Sequence, residues 1–427
     1  MIRPATMAEK LIARAAGLAS VTPGQIVTAN VDLAFAHDSS GPRRWAPHLE
    51  KLGVGLWDPA KVAIVTDHYV PATDADSAAI LKTTRDFARE HEVEQFFDMI
   101  GICHLVLPEK GLMRPGEFVA GGDSHSPTGG AFGAYVAGYG ATDMVGIVAT
   151  GKTWIRVPES IRIELDGKLP RGVVAKDVML MLCREVGLDN AFCAFEFGGS
   201  AVEAMTMQER MVLSNMTAEL GGEAGLIAPD DTTFGFLRDR GKPVQDEAES
   251  RGFAPDSDAR YLQRKRFDMA AMVPQVAAPH SPDNTDNVDS FSSVRVDQAY
   301  VGACVGAKLS DLQMVAKVLK GRKVADHVRL LVAPASQEVM GKASADGTIQ
   351  TLVDAGAKIM PTGCGACAGM GAGILSDGDV CISSTNRNFQ GRMGHSGASV
   401  YLGSPYTTAA SAVVGRIADP RDLMEMT

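Results

Sequence analysis

No run of 18 apolar residues occurs in the 427-residue sequence, so no transmembrane helix is expected. The first 18 residues also lack the uninterrupted apolar core of a secretory signal. Glu9, Lys10 and Arg14 break it, while Leu11, Ile12, Ala15 and Ala16 fit one face of an amphipathic helix. Basic residues are outnumbered, 41 Lys and Arg against 51 Asp and Glu, and the net charge of -10 argues against nucleic acid or an anionic membrane as partner. Cysteine is scarce and odd in number, at seven, which excludes a complete disulfide framework. Without a secretory signal, those thiols point to a reducing cytoplasm. Short-period repeats and low-complexity tracts are missing as well.

What remains is a chain too long for one hydrophobic core, so two or three domains are expected. Short apolar runs alternate with helical patterns, the sign of an α/β fold with largely parallel sheets. Strands are expected over 61–65, 117–120, 294–301, 329–333 and 379–382, and a helix over 76–90 capped near Asp76 or Ser77. Residues 165–170 read as a turn near a domain change, and 274–293, rich in Pro, Asn, Asp and Ser, as a linker. Chemically capable residues repeatedly follow these strands directly. Asp67-His68, Asp123-Ser124-His125, Cys304 and Asn386-Arg387 all stand at such ends, the edge where open α/β sheets bind ligands.

Cys364-Gly365-Ala366-Cys367, bedded in glycine and alanine, offers two thiols at a spacing that suits one metal centre. The pair alone fits a redox couple, half a zinc site or two cluster ligands equally. Cys304 could add a third thiol, whereas Cys103, Cys183, Cys193 and Cys381 sit in apolar surroundings and read as core. Asp67 and His68 are a carboxylate beside an imidazole, and their contact requires a turn at the strand end. His104 and His125 add two histidines, and Glu196, in the apolar run Ala194-Phe195-Glu196-Phe197, needs a buried partner such as histidine. Asn386, Arg387 and Arg392 follow a strand, and two arginine forks near a metal centre suit a di- or tricarboxylate.

Asp67-His68, Gly101-Ile102-Cys103-His104, Gly122-Asp123-Ser124-His125-Ser126, Glu196-Phe197, Cys304, Cys364-x-x-Cys367 and Thr385-Asn386-Arg387-Asn388 stand in an order that resembles the aconitase superfamily. Within it the chain is similar to large subunits of 3-isopropylmalate dehydratase, of the short type overlapping with homoaconitase and dimethylmalate dehydratase. The resemblance implies three α/β/α domains, 1–157, 158–285 and 286–427, around a shared iron–sulfur site. It implies that Cys304, Cys364 and Cys367 hold a [4Fe–4S] cluster, leaving one iron for substrate. Asp67 and His68 would be the general acid/base, with Asp123, His104 and His125 assisting, the histidines paired with Glu196. Ser124, Asn386, Arg387, Arg392 and Arg43 would position the cluster and a small hydroxy-dicarboxylate.

The swivelling domain that supplies a carbon base in single-chain relatives has no room before Thr427, so a separate small subunit is expected. Three departures bear on substrate. Ala303-Cys304-Val305-Gly306 replaces the usual Ser-Cys-Thr-Asn, an extra glycine precedes the last cysteine pair, and Arg43-Arg44 is a double arginine where the family usually has none. These suggest a divergent paralogue acting on a methylmalate, dimethylmalate, maleate or homoaconitate type of acid. A non-catalytic metal-bearing scaffold and an RNA-binding regulator are the competing classes, and the acidic charge speaks against the second.

Overall fold

The computed structural model describes residues 3–424, so only the first two residues of the expected N-terminal helix lie outside it. Three main sheets carry the fold. The first is fully parallel, in the order Gln95–Asp98, Val62–Thr66, Leu33–His37, Phe118–Gly121, Tyr135–Gly138. The second, also parallel, runs Ala224–Ile227, Cys193–Gly198, Glu159–Asp166, Gln263–Asp268. The third has seven strands in the order Thr285–Asn287, Gln275–Ala277, Ser399–Leu402, Val380–Ser383, Gln298–Val301, Arg329–Val332, Lys358–Ile359. Its first two pairings are antiparallel and the rest parallel. A two-stranded antiparallel ribbon joins Ile26–Asn30 to Lys152–Arg156. Among the described residues no helix is long and apolar enough to cross a membrane.

Four of the five expected strands lie within one residue of their apolar runs, and the one expected over 294–301 is shorter, Gln298–Val301. Val62–Thr66 is buried at every position, as expected of a parallel strand covered on both faces. The helix Ala75–Glu90 matches its amphipathic pattern, but Asp74 caps it, accepting the Ser77 N–H at 2.7 Å. The expected linker is not one. Gln275–Ala277 and Thr285–Asn287 are strands of the third sheet, which therefore begins before the expected boundary at 285. Proline, Asn and Asp punctuate that segment because it is a tight hairpin on a sheet edge, where such residues are tolerated.

One buried apolar cluster runs from Val65 and Val119 of the first sheet, through Ile163 and Phe195 of the second, to Val301 and Ile382 of the third. A second cluster fills the other face of the first sheet and takes in the helix Met7–Ala16 through Leu11, Ile12 and Ala15. Thr6 and Glu9 form a capping box at that helix's start.

Glu196 belongs to this scaffold, correcting its expected pairing with a histidine. It is buried in the strand Cys193–Gly198, where it accepts the Ala8 N–H at 3.0 Å and the Tyr261 hydroxyl at 2.6 Å. Burial pushes its carboxyl up, against those two hydrogen bonds and Arg162. A carboxylate in an apolar run does need partners, and here a helix N-terminus and a tyrosine supply them. Replacing Glu196 with Ala orphans both donors. It should cost about 2–4 kcal/mol of stability and lower Tm, while metal content and activity stay at wild-type level. Unchanged Tm with lost activity would return Glu196 to the site.

Candidate active site

The carboxyl ends of the first and third sheets face one cavity of about 320 Å³. His37, His68, His104, Asp123, Ser124 and His125 come to it from the first sheet's strand ends and the loops and short helix beyond them. Cys304, Cys364, Cys367, Asn386, Arg387 and Arg392 come from the third. A larger cleft, about 660 Å³, opens beyond Gly122-Asp123-Ser124 beside Tyr139, Trp154 and Arg156, but no thiol or histidine lines it.

Three carboxylate–imidazole pairs organise the first wall. In the first, His68 Nδ1 lies 2.6 Å from Asp67 Oδ1, while Asp67 Oδ2 accepts the Cys103 N–H at 2.7 Å. The turn that lets these sequence neighbours meet is folded by Asp38. Its carboxylate accepts the backbone N–H groups of Asp67, His68 and Tyr69 at 3.3, 3.0 and 2.8 Å. The His37 ring stacks on His68 with centroids 3.8 Å apart. The second pair is His104 Nε2 to Asp123 Oδ1 at 2.7 Å. The third is His125 Nε2 to Glu219 Oε1 at 2.8 Å. Glu219 also accepts Arg387 Nε at 2.7 Å, and Arg387 Nη1 donates to Ser124 Oγ at 3.0 Å.

For Asp67, Asp123 and Glu219 burial pushes the carboxyl up, and for His68 and His125 it pushes the imidazole down, yet the pairing outweighs it. Against burial, His68 and Cys103 hold Asp67 below its ordinary value, and His104, His125 and His37 hold Asp123 well below. Glu219 is held down by His125, Arg387 and Lys176. Conversely, Asp67, Asp123 and Asp38 raise His68 to about 9 despite burial, and Glu219 and Asp123 raise His125 to about 9. His68 and His125 are imidazoliums at neutral pH.

The opposite wall carries three thiols. Cys304 follows the strand Gln298–Val301, and Ala303 beside it takes a left-handed φ of 69°. Cys304 Sγ accepts Asn215 Nδ2 at 3.1 Å and Asn386 Nδ2 at 3.6 Å. Asn215 thus supplies a polar contact that the cysteine's sequence neighbours do not. Gly306 is required, because a Cβ there would stand 2.2 Å from Ser384 Oγ. The extra glycine, Gly363, has φ 148°, and its turn lets the Cys364 N–H reach the Asp67 carbonyl at 2.8 Å. The cysteine loop is thereby pinned to the first sheet. A hydrogen bond from Cys364 lowers the Cys367 thiol to about 6 against burial, helped by Arg392 and His125. The same contact with Cys367, then burial, pushes Cys364 well up, and burial with Cys367 nearby takes Cys304 to about 12.

The site therefore gathers all but two of the expected residues. Glu196 belongs to the scaffold, and Arg43 lines an adjoining cavity with its Nε on the Ser39 carbonyl at 2.8 Å. Cys103, Cys183, Cys193 and Cys381 are buried free thiols outside the cavity lining. Sequence reasoning missed Glu219, Asn215, Asp38 and His37. Glu219 lies beyond the helix Met207–Asn215 in a short turn, without any local motif to announce it. His37-Asp38 did carry a signal, an acid–imidazole dipeptide at a strand end like Asp67-His68.

The model of the aconitase family (aconitate hydratase) matches residues 21–295 and 284–415. The chain belongs to the aconitase family. It is 45% identical over 423 residues to a 3-isopropylmalate dehydratase large subunit of Methanopyrus kandleri, covering 97% of this chain and 99% of that protein. A probable methanogen homoaconitase large subunit of Methanothermobacter thermautotrophicus is 42% identical over 421 residues, 97% of each chain. The crystal structure of Thermococcus kodakaraensis aconitase X, in its holo form, shares the fold with a TM-score of 0.50 over 84% of each chain at 12% identity. Membership with such relatives makes the chain a hydro-lyase.

The ion pairs set a pH window. His68 and His125 rise from 6.5 to about 9 on folding, so their contribution is complete below about 6.5 and lost as pH climbs through 9. Asp67 and Glu219 are lowered from 3.8 and 4.5, so theirs is complete above those values and lost in acid. The Tm advantage of wild type over His125→Gln should hold near pH 6 and shrink toward pH 10. An advantage that grew across that range would contradict the pairing.

Proposed function

We propose that the chain is the cluster-bearing large subunit of a cytoplasmic dehydratase that reversibly eliminates water from a small 2-hydroxy di- or tricarboxylic acid. The observation that carries this reading is the face-to-face arrangement of three thiols and three carboxylate–imidazole pairs across one cavity. The thiol wall fits an iron–sulfur cluster by its donor chemistry. Cys304, Cys364 and Cys367 share one wall, Cys364, Arg392 and His125 hold the Cys367 thiol below its ordinary value, and Asn215 and Asn386 offer N–H groups to the Cys304 sulfur. A [4Fe–4S] cluster on these sulfurs supplies a Lewis-acid iron for a hydroxyl and carboxylate.

The protein's own groups then divide the work. His68, cationic and tied through Nδ1 to Asp67, presents its other ring nitrogen as the acid that protonates the departing hydroxyl and takes the proton back on hydration. His104 is fixed by Asp123, and His125 by Glu219, so each imidazole has one committed nitrogen and one left for water or substrate. Arg387, braced by Glu219 and Ser124, and Arg392, beside Cys367, grip carboxylates bidentately. Asn386 orients the Cys304 sulfur. The proton on carbon falls to a base from a separate small subunit, a reading supported by relatives named as large subunits.

Substrate is proposed to be of the 3-isopropylmalate type or a divergent relative: a methylmalate, dimethylmalate, maleate or homoaconitate. The test is the purified two-subunit complex, assayed anaerobically for formation of the conjugated unsaturated acid from the hydroxy acids and citrate, and for its loss by hydration from maleate and homoaconitate. Turnover of at least one is expected, falling about 100-fold or more in His68→Gln with metal content retained. A metal-loaded complex inert toward all of them would contradict the reading. Isopropylmalate turned over far better than every other compound would end the divergent-paralogue option.

A further inference from the structure

A second cavity, about 360 Å³, adjoins the site and is lined by Arg43, Arg44, His48 and Thr142; Ser39 and Ser40 belong to the walls of both cavities. Its character is cationic and mostly polar, with Ala141 the remaining lining residue. Arg43 is held in place by the Ser39 carbonyl and by the Tyr69 ring, 5.5 Å from its guanidinium carbon. Among the described residues, no carboxylate pairs with Arg43 or Arg44, and the Arg44 guanidinium makes no hydrogen bond. Arg43 and Arg44 open the helix Pro42–Leu52, while Ala141 and Thr142 open the helix Ala141–Thr150. Neither start has a side-chain cap, so both turn positive dipole ends toward the arginines, although in the first Pro42 lacks an N–H and those of Arg44 and Trp45 bond the Gly41 carbonyl. Ser40 Oγ is buried there without a partner. Asp143, in the first turn of the second helix, lines the neighbouring clefts rather than this cavity.

We propose that this annex is a subsite for a further anionic group of the bound acid, a carboxylate carried away from the carbons that gain and lose water. The inference rests on the dehydratase reading and deepens it toward a tricarboxylic hydroxy acid. Arg387 and Arg392 serve the reacting end, and the shared Ser39-Ser40 wall puts Arg43 and Arg44 within reach of a longer molecule's other end. A carboxylate there meets two arginines that no carboxylate neutralises, whereas an alkyl branch would meet mostly polar and charged surface.

Binding separates this from the turnover reading. Calorimetric titration of the two-subunit complex with tricarballylate, which has three carboxylates and no hydroxyl to lose, is compared with 2-ethylsuccinate, in which a methyl replaces one terminal carboxylate. Wild type should prefer tricarballylate by about tenfold or more. Arg44→Gln, at an exposed position, should cut that ratio several-fold, and Arg43→Gln with Arg44→Gln should bring it near one without changing 2-ethylsuccinate affinity. Equal affinities in wild type, no binding of either acid, or a ratio untouched by both variants would overturn the subsite. Inorganic phosphate bound as tightly as tricarballylate, and lost in the same variants, would mark a site for free anions and overturn it too. Preserved discrimination in a complex that turns over no hydroxy acid would sink the dehydratase reading and leave the subsite standing.

Discussion

The site depends on a single buried carboxylate that does not line the cavity. Asp38 accepts three consecutive backbone N–H groups, those of Asp67, His68 and Tyr69, at the end of the neighbouring strand. Adjacent residues on an extended strand point to opposite sides, so without that turn Asp67 and His68 could not meet. The bent backbone also presents the Asp67 carbonyl to the Cys364 N–H, fastening the cysteine loop of the third sheet to the first. One acidic side chain thereby sets both the acid/base pair and its distance from the thiols.

Buried charge is costly unless paired, and the pairing here is complete enough to reverse the usual effect of burial. Asp67, Asp123 and Glu219 remain ionised, and His68 and His125 remain cationic, although burial opposes all five. Glu219 joins two functions by holding both His125 and Arg387, so proton handling and carboxylate binding share one anchor. A site with alternating fixed charges suits a reaction in which a hydroxyl leaves as negative charge and returns by the same route.

Legibility in the sequence followed the range of the interaction. Strand ends, Asp67-His68, Asp123-Ser124-His125 and Cys364-x-x-Cys367 are local patterns, and each lies on the cavity. Glu219 and Asn215 were invisible because their partners are far away in sequence: His125, Arg387 and Cys304 meet them only in the folded chain. Glu196 misled for a physical reason. A carboxylate inside an apolar strand does require compensation, but periodicity cannot say whether a histidine or a helix start provides it. The hairpin at 275–287 was read as a linker because edge strands and linkers share the same turn residues. Gly306 was read as a lost polar group, whereas the close approach of Ser384 leaves room for no side chain there.

The central claim is that Cys304, Cys364 and Cys367, and none of the other four cysteines, hold one metal cluster opposite the acid/base pairs. Iron and acid-labile sulfide analysis of anaerobically purified chain tests it most directly, run on wild type and on single Cys→Ser variants. Iron and sulfide in about equal amounts, near four of each per chain, are expected in wild type and in Cys183→Ser or Cys381→Ser, and loss of both in Cys304→Ser, Cys364→Ser and Cys367→Ser. Zinc in place of iron, or full iron and sulfide retained after removal of Cys304, would contradict it.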